Sequence, residues 1–168
     1  MRKNKKICFE IMAIVLIAIF CISLTPKTLQ NDTFYTIKIG EHITQNGGID
    51  MMDPFSWHEG LEYTYPHWLY DVMIYLIYSA GGMLGIYIST CVFSVLLGIA
   101  IFEINSKLLK NKFLSFIITL GAMYLLKDYI TARAQLVTFI LFTIQLYCME
   151  KLVDTSKKRY GIGLILIA

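Results

Sequence analysis

Charged side chains are scarce in this 168-residue sequence: Asp, Glu, Lys and Arg make up 16%, against 57% hydrophobic residues. With a mean hydropathy of +0.60, that shortage excludes an ordinary soluble domain and places the chain in a bilayer. Cysteine is sparse too. Cys8, Cys21, Cys91 and Cys148 each sit in an apolar stretch with no CxxC spacing, which suggests packing residues rather than a disulfide framework or a cysteine metal site. The histidines, His42, His58 and His67, include no H-x3-H pair, so their spacing argues against zinc. No basic patch interleaved with aromatics occurs, which argues against a nucleic-acid partner. Internal repeats and low-complexity segments are likewise lacking. No small-x-small cleavage site follows Leu24, and Ala18, Ile19 and Phe20 make a poor lipobox ahead of Cys21, so the first apolar stretch reads as an uncleaved anchor.

What is present is a series of apolar stretches, each near or a little below the roughly 20 residues a spanning helix needs. The expected fold is all-α, a polytopic transmembrane helical protein with spans at 7–24, 83–103, 113–127 and 134–150. A basic tail (1–6) and two loops (104–112 and 151–160) carry eleven of the fifteen Lys and Arg residues. Cytoplasmic flanks collect such residues, so the N-terminus is expected inside and the segment 25–82 outside, in a cytoplasmic (inner) membrane. From Thr25 to Pro66 that segment holds six carboxylates (Asp32, Glu41, Asp50, Asp53, Glu59, Glu62) and only Lys27 and Lys38 as cations. The three histidines lie in it or directly beside it. A short second outer loop is expected at 128–133. After 160, GIGLILIA begins a fifth apolar stretch of about half a span, so the chain is expected to continue.

The long outer loop has its own helical signals. Lys38, Glu41, His42 and Gln45 repeat at helical spacing while Tyr35, Ile39 and Ile43 line another face, predicting an amphipathic helix over 33–45 lying on the membrane surface. Asn46-Gly47-Gly48 should stop it. Pro54 biases Asp53 to an extended or turn conformation, making MMDPFSW an ordered strap. Pro66 suits the first turn of a helix over 67–79, broken by Ala80-Gly81-Gly82. Because the chain must pass from outside at Glu62 to inside at Lys107, 83–103 supplies the crossing and 67–79 lies in the interface, where Trp68, Tyr70, Tyr75 and Tyr78 settle at headgroup depth.

The order of these elements resembles a known family. An anchor, an Asp heading an amphipathic helix (NDTFYTIKIGEHITQNG), a D-P-F-S strap, an aromatic helix (HWLYDVMIYLIYSAGG) and Arg-x-Gln entering a later span (ARAQL) are similar to the amino-terminal part of bacterial GT-C-type glycosyltransferases. The chain departs from their pattern at Phe34-Tyr35-Thr36, where relatives often carry an aromatic pair and His, and at Arg133-Ala134, where they carry Arg-Pro. The resemblance implies transfer of a sugar from a polyprenyl-phosphate donor to a cell-envelope acceptor, with Asp32 as the catalytic acid/base. Such chemistry needs a base for the acceptor proton and a cation for the departing phosphate.

Each candidate has a plainer reading beside it. Asp32 also stands where an N-cap should, accepting from the amides of Phe34 or Tyr35. Asp53, a second carboxylate able to hold Mg2+ or Mn2+, is equally an ordinary turn starter. Arg133 offers a guanidinium to phosphate, assisted by Lys127, or snorkels with an ion pair to Asp128. His67 and Trp68 line a substrate or belong to the interfacial belt. Glu10 and Glu103 look structural. The rival function is a non-catalytic membrane protein, a transporter or envelope-assembly subunit whose acidic loop binds a partner; few charges fall within the spans, which weighs against transport.

Overall fold

Six α-helices and one 3₁₀ turn account for most of the chain in a computed structural model that describes residues 2–58 and 60–167, with side-chain surroundings over 7–58 and 60–165. Glu59 of the acidic loop, Met1 and Ala168 lie outside the described residues. The helices are α1 (Arg2–Leu24), α2 (Asn31–Asn46), α3 (Trp68–Leu109), α4 (Lys112–Leu125), α5 (Ala134–Thr155) and α6 (Lys158–Ile167), with the 3₁₀ turn at Lys127–Tyr129. Among the described residues there is no strand, only one antiparallel bridge between Met52 and Glu62.

Among the described residues three helices are long and apolar enough to cross a membrane: Ile7–Leu24 within α1, α3 and α5. The expected span at 113–127 is α4, a helix of 14 residues, about 21 Å at 1.5 Å per residue against a hydrocarbon core of about 30 Å. The expected break between 67–79 and 83–103 is a kink rather than a gap. Two helices meet there without an intervening loop, because Gly82 leaves helical geometry with φ 58° and ψ −149°, a conformation open to glycine. The 42 residues of α3 are thereby divided at the position where the glycine pair was expected to stop the helix. Helix α1 begins at Arg2 rather than after the basic tail, and α6 begins at Lys158, inside the basic run.

The chain forms two compact units. One comprises Met1–Pro26, Thr90–Thr131 and Gln135–Ala168. Its core gathers Ala13, Ile17 and Cys21 from α1, Leu97 and Phe102 from α3, Met123 from α4, and Ile130 and Leu136. Gly98 lets α1 and α3 approach closely, since a Cβ there would stand 2.7 Å from Cys21 Sγ and 2.9 Å from Ile17 Cγ2; small residues serve this purpose where lipid supplies no hydrophobic drive between helices. Polar ties supplement the packing. Asn105 Nδ2 donates to Thr119 Oγ1 across α3 and α4 at 3.3 Å, and Lys112 pairs with Glu10. Asn111 caps α4, accepting from the amides of Phe113 (3.1 Å) and Leu114 (3.2 Å). Large apolar side chains such as Ile11 and Ile19 of α1 stay mostly exposed.

The other unit comprises Lys27–Ser89 and Ala132–Ala134. Here α2 ends as expected, with Gly47 left-handed at φ 69°. Its apolar face differs from expectation: Ile39 and Ile43 are buried in a cluster with Tyr65, flanked by Tyr63 and Val72. That face packs on protein instead of lying open to lipid. Gly40 marks the tightest approach, because a Cβ there would fall 2.1 Å from the Asp71 carbonyl oxygen and 2.7 Å from Tyr75 Cβ. An interior glycine costs a helix about 1 kcal/mol relative to alanine, and this crossing is what it makes room for.

Candidate functional site

Two of the sequence-nominated residues meet in the second unit. Asp32 lies in the first turn of α2, but it does not cap the helix: Gln30 holds the cap position and makes no side-chain cap bond. The capping role is therefore corrected. Instead Asp32 Oδ2 accepts from Arg133 Nη2 across 101 residues of sequence. The plainer reading of Arg133 is corrected with it, since the carboxylate it pairs with is Asp32 and not Asp128. Both groups keep access to solvent, with 64% of the Asp32 side chain and 38% of the Arg133 side chain exposed. Arg133 Nε is buried and finds no hydrogen-bond partner among the described residues. Nε is thereby closed, so a ligand of this guanidinium has to approach through its Nη nitrogens.

Thr33 fixes the geometry from the neighbouring position. It is fully buried, and its hydroxyl donates to the Ala132 carbonyl at 3.3 Å, tying the first turn of α2 to the residue before Arg133. Thr33, Ile37 and Gly40, all buried, follow helical spacing and form a stripe beside the predicted one. The interior Gly40 was the available signal for it.

Asp53 takes its plainer role. Its Oδ1 accepts from the amides of Phe55 (2.9 Å) and Ser56 (3.2 Å), a side-chain turn that shapes the tip of the strap. The strap is closed as a hairpin: Asp53 N–H donates to Leu61 O at 2.9 Å and Tyr63 N–H to Met51 O at 3.0 Å, around the Met52–Glu62 bridge. Among the described residues no three His, Cys, Asp or Glu side chains converge on a metal position, and one Asp53 oxygen is already spent on two amides.

His67 and Trp68 are exposed at the start of α3. Lys127 belongs to the first unit, its Nζ 5.0 Å from the centre of the Tyr124 ring. Asp71, in the first turn of α3, is buried at 7% exposure.

A second polar cluster ties α2 to the loop. His42 Nε2 and Asp50 Oδ2 are 3.1 Å apart, and the Tyr65 hydroxyl lies 3.1 Å from Asp50 Oδ1 and 2.7 Å from Met52 O. The Met52 amide (3.2 Å), then His42 and Tyr65, lower the Asp50 pKa below its ordinary value. Burial, followed by the hydrogen bond to Asp50, pushes the Tyr65 hydroxyl up to about 12. It thus stays a proton donor through the neutral range.

Comparison of the chain with protein families, curated proteins and solved structures found no match.

Proposed function

We propose that this chain carries the outer-face site of a membrane glycosyltransferase that moves a sugar from a polyprenyl-phosphate donor to a cell-envelope acceptor. The single observation that carries the reading is the Asp32–Arg133 pair. A solvent-accessible carboxylate and a guanidinium from distant parts of the chain share one place, and the transfer requires one group of each kind. Arg133 holds the donor phosphate, for which a planar guanidinium is suited. Asp32 accepts the proton of the acceptor hydroxyl as its oxygen bonds to the sugar C1. The C1–O bond to phosphate breaks, and polyprenyl phosphate leaves with the electron pair, its charge held by Arg133.

Two features support the side of the membrane. The charge distribution puts the N-terminus inside and the acidic loop outside. Two long-range ion pairs also join residues assigned to the same side: Glu10, near the cytoplasmic end of its span, with Lys112, and Asp32 with Arg133 outside. The site then lies in the extracytoplasmic loop of a polytopic inner-membrane protein of GT-C-like architecture.

The test is sugar transfer by the protein in membranes, from a panel of radiolabelled polyprenyl-phosphate sugars. Wild type should transfer at least one sugar, and Asp32→Asn and Arg133→Gln should each lose transfer about 100-fold or more at equal expression, the scale of a lost general base or charge-stabilising group. Undiminished transfer by Asp32→Asn refutes the mechanism. Absence of transfer by wild type across the panel refutes the activity. A non-catalytic loop that binds a partner is favoured by one observation, Trp57 at 90% exposure near the hairpin tip. On that reading Trp57→Ala abolishes function and Asp32→Asn preserves it.

A further inference from the structure

We propose that Asp32 and the donor phosphate exchange on Arg133, so that arrival of the phosphate is what frees the base. The inference rests on the phosphate role given to Arg133 above, and it follows from which nitrogens are accessible. Arg133 Nε is buried, which closes the Nε–Nη edge to a ligand. A bidentate phosphate must use Nη1 and Nη2, and Asp32 already holds Nη2. Keeping a carboxylate and a phosphate side by side on one fork sets like charges within a few ångströms, a repulsion weakened but not removed by solvent. The carboxylate is the partner able to leave, since 64% of its side chain is exposed, whereas Thr33 anchors the backbone on both sides of the pair through Ala132. In the resting protein the pair engages both groups: the base is tied up and the phosphate site is half-filled. Binding of the donor separates them, leaving Asp32 free to take the acceptor proton only when a donor is in place.

The exchange predicts that removing the Asp32 charge improves phosphate binding while abolishing transfer. The measurement is the dissociation constant of farnesyl monophosphate, with inorganic phosphate as a parallel probe, for the full chain in detergent micelles. Wild type, Asp32→Asn, Arg133→Gln and Asp53→Asn are compared. Asp32→Asn should tighten farnesyl phosphate roughly two- to fivefold, the size of a part-exposed ion pair no longer competing. Asp53→Asn should leave the constant unchanged, which separates exchange at Arg133 from a general loss of negative charge. Circular dichroism of each variant verifies that the helices are retained.

Unchanged or weaker binding by Asp32→Asn, with Arg133→Gln losing it, overturns the exchange while leaving Arg133 as the phosphate ligand. Equal tightening by Asp32→Asn and Asp53→Asn also overturns it. No binding of either probe to wild type or Asp32→Asn overturns the phosphate assignment and the exchange with it. Inorganic phosphate binding as tightly as farnesyl phosphate, with Asp32→Asn tightening both, upholds the exchange but removes the lipid donor.

Discussion

Replacing Gly40 with alanine adds one methyl group where α2 crosses the start of α3. The new Cβ would lie 2.1 Å from the Asp71 carbonyl oxygen, 2.6 Å from the carbonyl carbon and 2.7 Å from Tyr75 Cβ. Reaching even the 3.4 Å of ordinary contact from 2.1 Å requires a displacement of at least 1.3 Å. The closest obstacles are backbone atoms of a helix, so no side-chain rotation relieves them. Overpacking of this kind costs about 1–3 kcal/mol, and unyielding backbone places it at the upper end. Alanine returns about 1 kcal/mol of helix propensity, leaving a net loss of about 2 kcal/mol. For a chain of this length that corresponds to a fall in Tm of roughly 4–8 °C, readable by circular dichroism at 222 nm in detergent. Gly121→Ala is the matched control, because a Cβ at this glycine of α4 meets nothing within 4 Å; it should be neutral or slightly stabilising. Since Asp32 lies eight residues before Gly40 on the same helix, the displaced α2 should also weaken the Asp32–Arg133 pair. Gly40→Ala as stable as wild type would refute the close crossing.

Other expectations follow from the loop. Asp53→Asn should retain the turn, because an amide oxygen accepts the same two N–H bonds, whereas Asp53→Ala should lose about 1 kcal/mol; transfer abolished in a correctly folded Asp53→Asn would return Asp53 to the chemistry. Tyr65, raised in the folded state from 10.0 to about 12, holds its proton more tightly folded than unfolded, so its contribution is complete below pH 10 and lost as pH rises towards 12. Alkaline unfolding should therefore show a smaller pH dependence over that window in Tyr65→Phe, and an unaltered one would argue against the Asp50–Tyr65 contact. Asp50, lowered when folded, contributes above the ordinary carboxylate range and loses that contribution as pH falls through it, so Asp50→Asn should flatten the acid limb of stability.

Legibility followed the range of the interactions. Helix α2 was predicted over 33–45 and runs Asn31–Asn46, because helical spacing and a left-handed glycine at its end are local signals. The turn at Asp53 and the bend at Gly82 were likewise written in neighbouring residues. The face α2 buries was only partly legible: Ile39 and Ile43 were on the predicted stripe, but Thr33, Ile37 and Gly40 were not. Periodicity identifies an apolar stripe without distinguishing lipid from Tyr65 as its cover.

By itself the sequence determined an all-helical chain with segments apolar enough for a membrane, and the local stops and turns between them, since hydropathy, glycine and proline act over a few residues. Only the tertiary structure decided which carboxylate Arg133 meets. The carboxylate the sequence offered it was Asp128, its neighbour in the same short loop. The choice comes from the close crossing at Gly40 and the buried Thr33–Ala132 hydrogen bond, contacts between residues far apart in the chain that no local pattern specifies.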